Sequence, residues 1–146
     1  MSSKSEKVTE LFLRGYNCAQ SVFAAFSEDG GLDAGTALKL TYGFGGGCGQ
    51  AGTCGAITGS MLAIGLKHGS DAPDDAEAKA TLNAKREKLA EDFTERFGST
   101  LCLDLLGFDI RTDEGHAKLV ALMRDLPSSP CVGFITHAAS ILEEME

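Results

Sequence analysis

Apolar residues recur every three or four positions along most of the chain, which is the spacing of amphipathic helices. Val8, Leu11 and Phe12 share one face of the first predicted helix, which ends before Gly15. Caps and breakers such as Asn, Asp, Gly and Pro separate the later segments. The other predicted helices run from Cys18 to Gly30, from Asp33 to Phe44, from Thr53 to Lys67, from the segment Asp71–Asp75 to Phe97, from Cys102 to Leu106, from Asp113 to Leu126 and from Pro130 to Glu144.

No segment alternates apolar and polar residues between turn signals, as a strand of a hairpin would. The chain of 146 residues is long enough for one hydrophobic core, and it shows no internal repeat or linker. We therefore expect an all-α fold, a compact single-domain bundle of about six to eight helices with a glycine-rich loop, spanning residues 1–146.

The balance of acidic and basic residues limits the kinds of partner that the chain can bind. The chain carries 21 acidic and 13 basic residues without a Lys/Arg cluster, so nothing is available to neutralise a phosphate backbone. We expect no nucleic acid partner and no binding to anionic membranes.

The apolar stretches are too short or too rich in glycine for targeting or membrane insertion. The N-terminal segment is polar and lacks the apolar core of a signal peptide, and the longest uncharged stretch, residues 40–66, is interrupted by many glycines. These features predict a cytoplasmic protein without membrane insertion.

Nearly half of the 18 glycines fall between Gly43 and Gly59, which indicates positive φ angles or close backbone approach. Residues 47–52 match the G-x-G-x-x-G pattern, but a predicted helix precedes them where a dinucleotide fold requires a strand. Nucleotide binding is therefore not expected. Gly55 and Gly59 lie one helical turn apart, a spacing that lets a second helix pack closely.

Four of the five cysteines fall in predicted first turns of helices, where free N–H groups and the helix dipole stabilise a thiolate and lower its pKa. If the fold brings these helix ends together, the thiols form a functional cluster. The pairs of predicted cap and cysteine are Asn17 with Cys18, Thr53 with Cys54, Ser99 or Thr100 with Cys102, and Ser129 and Pro130 with Cys131.

A competing interpretation is that these cysteines are packed as small apolar residues, because free cysteine is often buried. Their spacing matches no zinc-knuckle or ferredoxin pattern, and no C-x-x-C occurs. The fifth, Cys48, lies in the glycine-rich loop, where it is either an extra or resolving thiol or an idle substitution. The three histidines show no paired ligand spacing and are expected to be capping or surface residues.

Several of these segments together resemble the C_GCAxxG_C_C family of redox-active proteins, and the resemblance extends over essentially the whole chain. They are Gly15-Tyr-Asn-Cys-Ala-Gln-Ser21, Gly43-Phe-Gly-Gly-Gly47, Cys54-Gly-Ala-Ile-Thr-Gly59, Phe97-Gly98, Cys102 to Gly107, and Cys131.

The resemblance implies a redox site made of four cysteines, with Gly55 of the Cys-Gly-Ala-x-x-Gly motif beside any cofactor. A similar module at the N-terminus of split-Soret cytochromes is associated with an iron–sulfur site, although this chain has no haem-attaching C-x-x-C-H. Two departures from the family pattern are Cys48 in the loop and the proline before Cys131. The implied site residues are Cys18, Cys54, Cys102 and Cys131.

Two redox chemistries remain open on the sequence: a Cys-ligated iron–sulfur cluster for electron transfer, and thiol/disulfide exchange. Either requires an electron donor or acceptor, or a redox protein, as partner, and an oligomer is compatible with both. The alternatives are a structural zinc-binding site and a partner-binding module associated with a transport system, since family members are often encoded near transporter genes.

Overall fold

Eight α-helices and no strand make up the regular structure of residues 3–145, the part of the chain that the computed structural model describes. This confirms the predicted all-α bundle. The helices are α1 (Ser3–Leu13), α2 (Cys18–Ser27), α3 (Ala34–Leu40), α4 (Gly55–His68), α5 (Ala76–Phe97), α6 (Cys102–Leu106), α7 (Asp113–Met123) and α8 (Cys131–Glu144).

Helix α2 runs through the centre of the core. Its residues 19–27 are all buried, and it packs against α1, α3, α4 and α8. Helix α5 lies on the outside and buries only Leu89 and Phe93. Where α5 meets α8, the rings of Phe97 and Phe134 lie 4.9 Å apart, edge to face. Apolar burial around α2 is thus the main force that holds the bundle together.

Helices α2 and α4 approach closely because glycine faces α2 at two positions one turn apart. A Cβ at Gly59 would lie 2.7 Å from the backbone oxygen of Ala19, and one at Gly55 would lie 2.7 Å from its nitrogen. The structure confirms the close helix packing that this glycine spacing predicts.

Several predicted helix boundaries are wrong. Helix α2 ends at Ser27, short of Gly30, and residues 28–30 form a 3-10 turn. Helix α3 ends at Leu40, short of Phe44, because the chain turns into a 3-10 segment at residues 42–44. Helix α4 starts at Gly55, since Thr53 pairs with Leu101 in an isolated antiparallel bridge. Helix α7 stops at Met123, and residues 126–128 form a separate 3-10 turn, because the chain leaves helical backbone at Asp125, where φ is −134° and ψ is 71°.

The glycine-rich loop has left-handed backbone at several successive positions. The φ angles of Gly46 and Gly47 are 65° and 61°, and a Cβ on Gly47 would collide with the backbone of Gly52. The N–H of Gly52 donates to the carbonyl oxygen of Gly47 at 3.1 Å, which closes the loop on itself. Glycine is required here for both conformation and space.

None of the helices within residues 3–145 is long and apolar enough to cross a membrane.

Candidate four-cysteine site

Four helices, α2, α4, α6 and α8, begin around one cavity of about 530 Å³. Cys18, Cys102 and Cys131 are the first residues of α2, α6 and α8, and Cys54 directly precedes α4. All four cysteines line the cavity. The fold therefore brings together residues that are widely separated in the sequence, at helix ends that carry partial positive charge.

Two backbone hydrogen bonds fix Cys54 and Cys102 relative to each other. The N–H of Cys54 donates to the Thr100 carbonyl at 2.8 Å, and the N–H of Cys102 donates to the Gly52 carbonyl at 2.7 Å. These bonds flank the bridge between residues 53 and 101. Each cysteine is the residue directly after a bridge residue, so the two side chains lie on the same face of the paired segments. The bridge thus places the starts of α4 and α6 side by side.

The position of Cys18 is set by two amide side chains. The N–H of Gln20 donates to the Asn17 side chain at 2.8 Å, and the N–H of Asn17 donates to the Gln20 side chain at 2.9 Å. The remaining Nδ2 of Asn17 donates to the Tyr42 carbonyl at 3.2 Å, and Nε2 of Gln20 donates to the Leu38 carbonyl at 3.0 Å. Asn17 is the predicted cap, and with Gln20 it also ties the start of α2 to α3.

Cys131 is held by a turn that precedes α8. Its N–H donates to the hydroxyl oxygen of Ser129 at 3.2 Å, and Pro130 occupies the capping position. The helix therefore starts one residue later than the predicted arrangement, in which Pro130 is the first helical residue.

The sulfur atoms of Cys18 and Cys131 form a hydrogen-bonded pair. The Cys18 thiol donates to the Cys131 sulfur and lowers the pKa of Cys131 to about 7, with a further contribution from Ser129. The same hydrogen bond, together with burial, raises the pKa of Cys18 well above its ordinary value. Near neutral pH a substantial fraction of the molecules therefore holds a thiolate on Cys131 beside a thiol on Cys18.

The pKa values of the other two cysteines are raised rather than lowered. Burial raises the pKa of Cys54 to about 12, although the N–H groups of Ala56 and Ile57 act in the opposite direction. Burial, and then the charge on Cys131, raise the pKa of Cys102. The expectation that a first-turn position lowers the thiol pKa is therefore wrong for Cys54 and Cys102, because loss of hydration outweighs the helix terminus. It is also wrong for Cys18, because the hydrogen bond to Cys131 favours the protonated thiol and burial acts in the same direction.

The rest of the cavity wall is mostly apolar, and no Lys, Arg, Asp or Glu stands among the described residues that line it. Helix α7 forms one wall and contributes His116, which is an exposed residue. Nothing in the sequence around His116 predicts that it lines the same cavity as the cysteines. Apolar side chains from α6, α7, α8 and the loop between α6 and α7 complete the wall: Leu105, Leu106, Ile110, Leu119, Leu122 and Phe134.

Gly55 lines the cavity next to Cys18. A Cβ at this position would lie 3.0 Å from the Cys18 Cβ, so the missing side chain lets the backbone of α4 approach the start of α2. This close approach accounts for glycine in the motif without a cofactor contact.

Cys48 is placed differently from the other cysteines. Its side chain is exposed, and its φ angle of 63° is left-handed. Its neighbours Gly47 and Gly49 line the cavity, whereas Cys48 itself does not. The loop therefore directs backbone, and not this thiol, toward the four-cysteine site. All five cysteines are free thiols.

Thiolates are the ligands that iron–sulfur clusters use. Within residues 3–145, however, no group of three or more His, Cys, Asp or Glu side chains is arranged to hold a metal ion. The strongest interaction among the four thiols is the hydrogen bond between Cys18 and Cys131.

Comparison with known proteins identifies a family and no individual relative. A family model described as "Putative redox-active protein (C_GCAxxG_C_C)" matches residues 16–145, which include all five cysteines. No curated protein and no solved structure matches the chain significantly. The chain belongs to the C_GCAxxG_C_C family, which carries that description.

Proposed function

We propose that the protein is a thiol/disulfide redox protein whose working pair is Cys18 and Cys131. The observation that carries the proposal is the hydrogen bond between their sulfurs, which leaves Cys131 with a pKa of about 7 beside a protonated thiol. A thiol with a pKa near the ambient pH combines a substantial thiolate fraction with good nucleophilicity.

In the proposed oxidation of the pair, a disulfide R–S–S–R is the oxidant. The Cys131 thiolate attacks one sulfur, a mixed disulfide forms, and R–S⁻ leaves and takes up a proton. Cys18 loses its proton, attacks the Cys131 sulfur and releases the second R–S⁻, which is also protonated. The protein loses two electrons and the disulfide gains them, and a dithiol partner reverses the process.

Cys54 and Cys102 form a second, slower pair in this proposal. Their burial keeps them protonated at neutral pH, so neither is suited to make the first attack. Both line the same cavity as the working pair and can exchange with it. We place this activity in the cytoplasm, where thiols are kept reduced between catalytic cycles.

A Cys-ligated iron–sulfur cluster is the second candidate function, favoured by the convergence of four cysteines at four helix ends. Cys18, Cys54, Cys102 and Cys131 are the ligand set in that case, and the cluster supplies one-electron transfer. Anaerobic purification with iron, sulfide and zinc analysis tests it. Stoichiometric iron and sulfide with a visible absorption band would establish the cluster, and colourless protein without iron would rule it out.

The exchange proposal is tested by equilibrating the metal-free protein in glutathione buffers of graded potential. Mapping of the oxidised protein by mass spectrometry is expected to show a disulfide between Cys18 and Cys131. Cys48→Ser is the matched control, because it removes an exposed thiol outside the cavity and should leave this disulfide unchanged. If Cys18 and Cys131 stay reduced in every buffer, the exchange proposal is wrong.

A further inference from the structure

The four-cysteine cavity has the size of a small-molecule site. Its volume of about 530 Å³ lies within the range of roughly 300–1,000 Å³ that is typical of pockets for small ligands. Cys54 and Cys102 are buried, and all four cysteines line this space. A compound that enters the cavity therefore comes into contact with the thiols.

Charge restricts what can enter. None of the described residues that line the cavity is Lys, Arg, Asp or Glu, and His116 is the single histidine among them. A carboxylate taken into this space would lose its hydration, find no Lys or Arg to pair with and share the cavity with the Cys131 thiolate. An ammonium group would find no carboxylate there, and its one anionic partner would be the Cys131 thiolate, which is already hydrogen-bonded to Cys18. Peptide-like thiols that carry several charges are therefore poorly matched to the cavity.

Helix α7 supplies an adaptable apolar wall. It turns Leu119, Leu122 and Met123 toward the cavity, whereas Gly115 is its only fully buried residue. Its main neighbour is the turn at residues 126–128, so it is held less firmly than α2 or α4. A flexible methionine and a lightly packed helix allow the wall to fit ligands of different shape.

We propose that this cavity binds small, uncharged molecules with an apolar body of about the size of one or two rings. The choice of substrate rests on the proposed exchange function. Under that function, uncharged apolar disulfides are the substrates that reach Cys131 most readily. The chemical step is the same exchange described above, with such a disulfide as the oxidant.

Binding is tested with N-phenyl-1-naphthylamine, an uncharged probe whose fluorescence increases in apolar surroundings. We expect saturable binding of one probe per chain. Leu119→Lys should weaken it about tenfold or more, because the lysine replaces apolar wall with a charged, hydrated side chain that the apolar probe would have to desolvate. Leu40→Lys is the matched control, since Leu40 is 58% exposed and lies outside the cavity. It should leave the affinity unchanged.

Circular dichroism must first show that Leu119→Lys is folded, and Leu122→Lys on the same wall serves as a second variant. The anionic dye 1-anilinonaphthalene-8-sulfonate provides the comparison of charge and should bind more weakly than the neutral probe. Three results would each overturn the inference. They are absence of saturable binding of the neutral probe, wild-type affinity for that probe in both wall variants, and tighter binding of the anionic dye than of the neutral probe.

The test also separates this inference from the proposed redox function. Binding of the probe by a wild-type protein whose thiol pair cannot be oxidised would refute the exchange function and support the cavity inference. Oxidation of the pair without probe binding would do the reverse.

Discussion

At the sulfur of Cys131, a single hydrogen bond outweighs the effect of burial. Burial alone would raise the pKa of this thiol, yet the hydrogen bond from the Cys18 thiol, with a smaller contribution from the Ser129 side chain, lowers it to about 7. Cys54 lacks such a donor from a neighbouring thiol, and its pKa rises to about 12. Reactivity in this site therefore depends on which cysteines are paired and not on their common position at helix starts.

The first prediction concerns this hydrogen bond. In a Cys48→Ser background, which removes the exposed thiol, alkylation by iodoacetamide should rise with pH around a midpoint near 7. Cys18→Ala removes the donor, so the pKa of Cys131 should shift upward. Cys18→Ser retains an O–H donor and should restore part of the effect. Peptide mapping against pH measures all three, and an unchanged midpoint in Cys18→Ala would show that the thiol pair is not responsible.

At the scale of elements, the site depends on how α2 begins and how closely α4 approaches it. Asn17 caps α2 and also donates to the carbonyls of Thr41 and Tyr42, so one side chain positions both the helix and its neighbour. Gly59 allows the backbones of α2 and α4 to meet near Ala19. Both features lie within one helical turn or two of a cysteine.

The second prediction separates the two roles of Asn17. Asn17→Ala should lower the free energy of unfolding by about 0.5–2 kcal/mol, the usual cost of losing an N-cap. Asn17→Asp can still cap α2 but loses the two donations to the carbonyls after α3. Urea unfolding should place it between the wild type and Asn17→Ala. Wild-type stability in Asn17→Asp would show that only the cap contributes.

The third prediction compares two glycines of α4. Gly59→Ala should destabilise the fold by about 1–3 kcal/mol, because the new methyl group would contact the backbone of Ala19 and force the helices apart. Gly65→Ala is the matched control, since its Cβ meets no atom within 4 Å. It should stabilise the helix by about 0.5–1 kcal/mol. Thermal unfolding of both variants gives the comparison, and similar values would contradict the packing argument.

Local signals predict the starts of elements better than their ends or their chemistry. The cap at Asn17 and the glycine spacing in α4 act within a few residues, so they can be recognised in the sequence. The pairing of Thr53 with Leu101, which delays the start of α4, is a contact between distant segments. The raised pKa of Cys54 and the place of His116 at the cavity likewise depend on burial that only the folded chain creates.

At the scale of the whole molecule, the working pair joins elements from opposite ends of the described chain. Helix α8 packs against both α1 and α2, and this packing brings Cys131 beside Cys18. The site therefore lies where early and late segments of the sequence meet, and a bond between the two sulfurs would enclose most of the chain in one loop.

The fourth prediction follows from that loop. Closing a loop on the order of 100 residues removes much of the conformational freedom of the unfolded chain, so the oxidised protein should be more stable by about 2–5 kcal/mol. Urea unfolding of the oxidised and reduced forms measures the difference. Cys131→Ser should show no such gain after the same oxidative treatment. Equal stability of the two wild-type forms would mean that the bond strains the native structure.

The distance between Cys18 and Cys131 along the chain also has a consequence for biosynthesis. A ribosome releases Cys18, Cys48, Cys54 and Cys102 well before α8 has emerged, so the favoured partner of Cys18 is the last cysteine to become available. Under the proposed exchange function, oxidation of the nascent chain before that point would join thiols other than the proposed pair. The proposed pair can form only after synthesis has passed α8, and a reducing environment during translation would protect it.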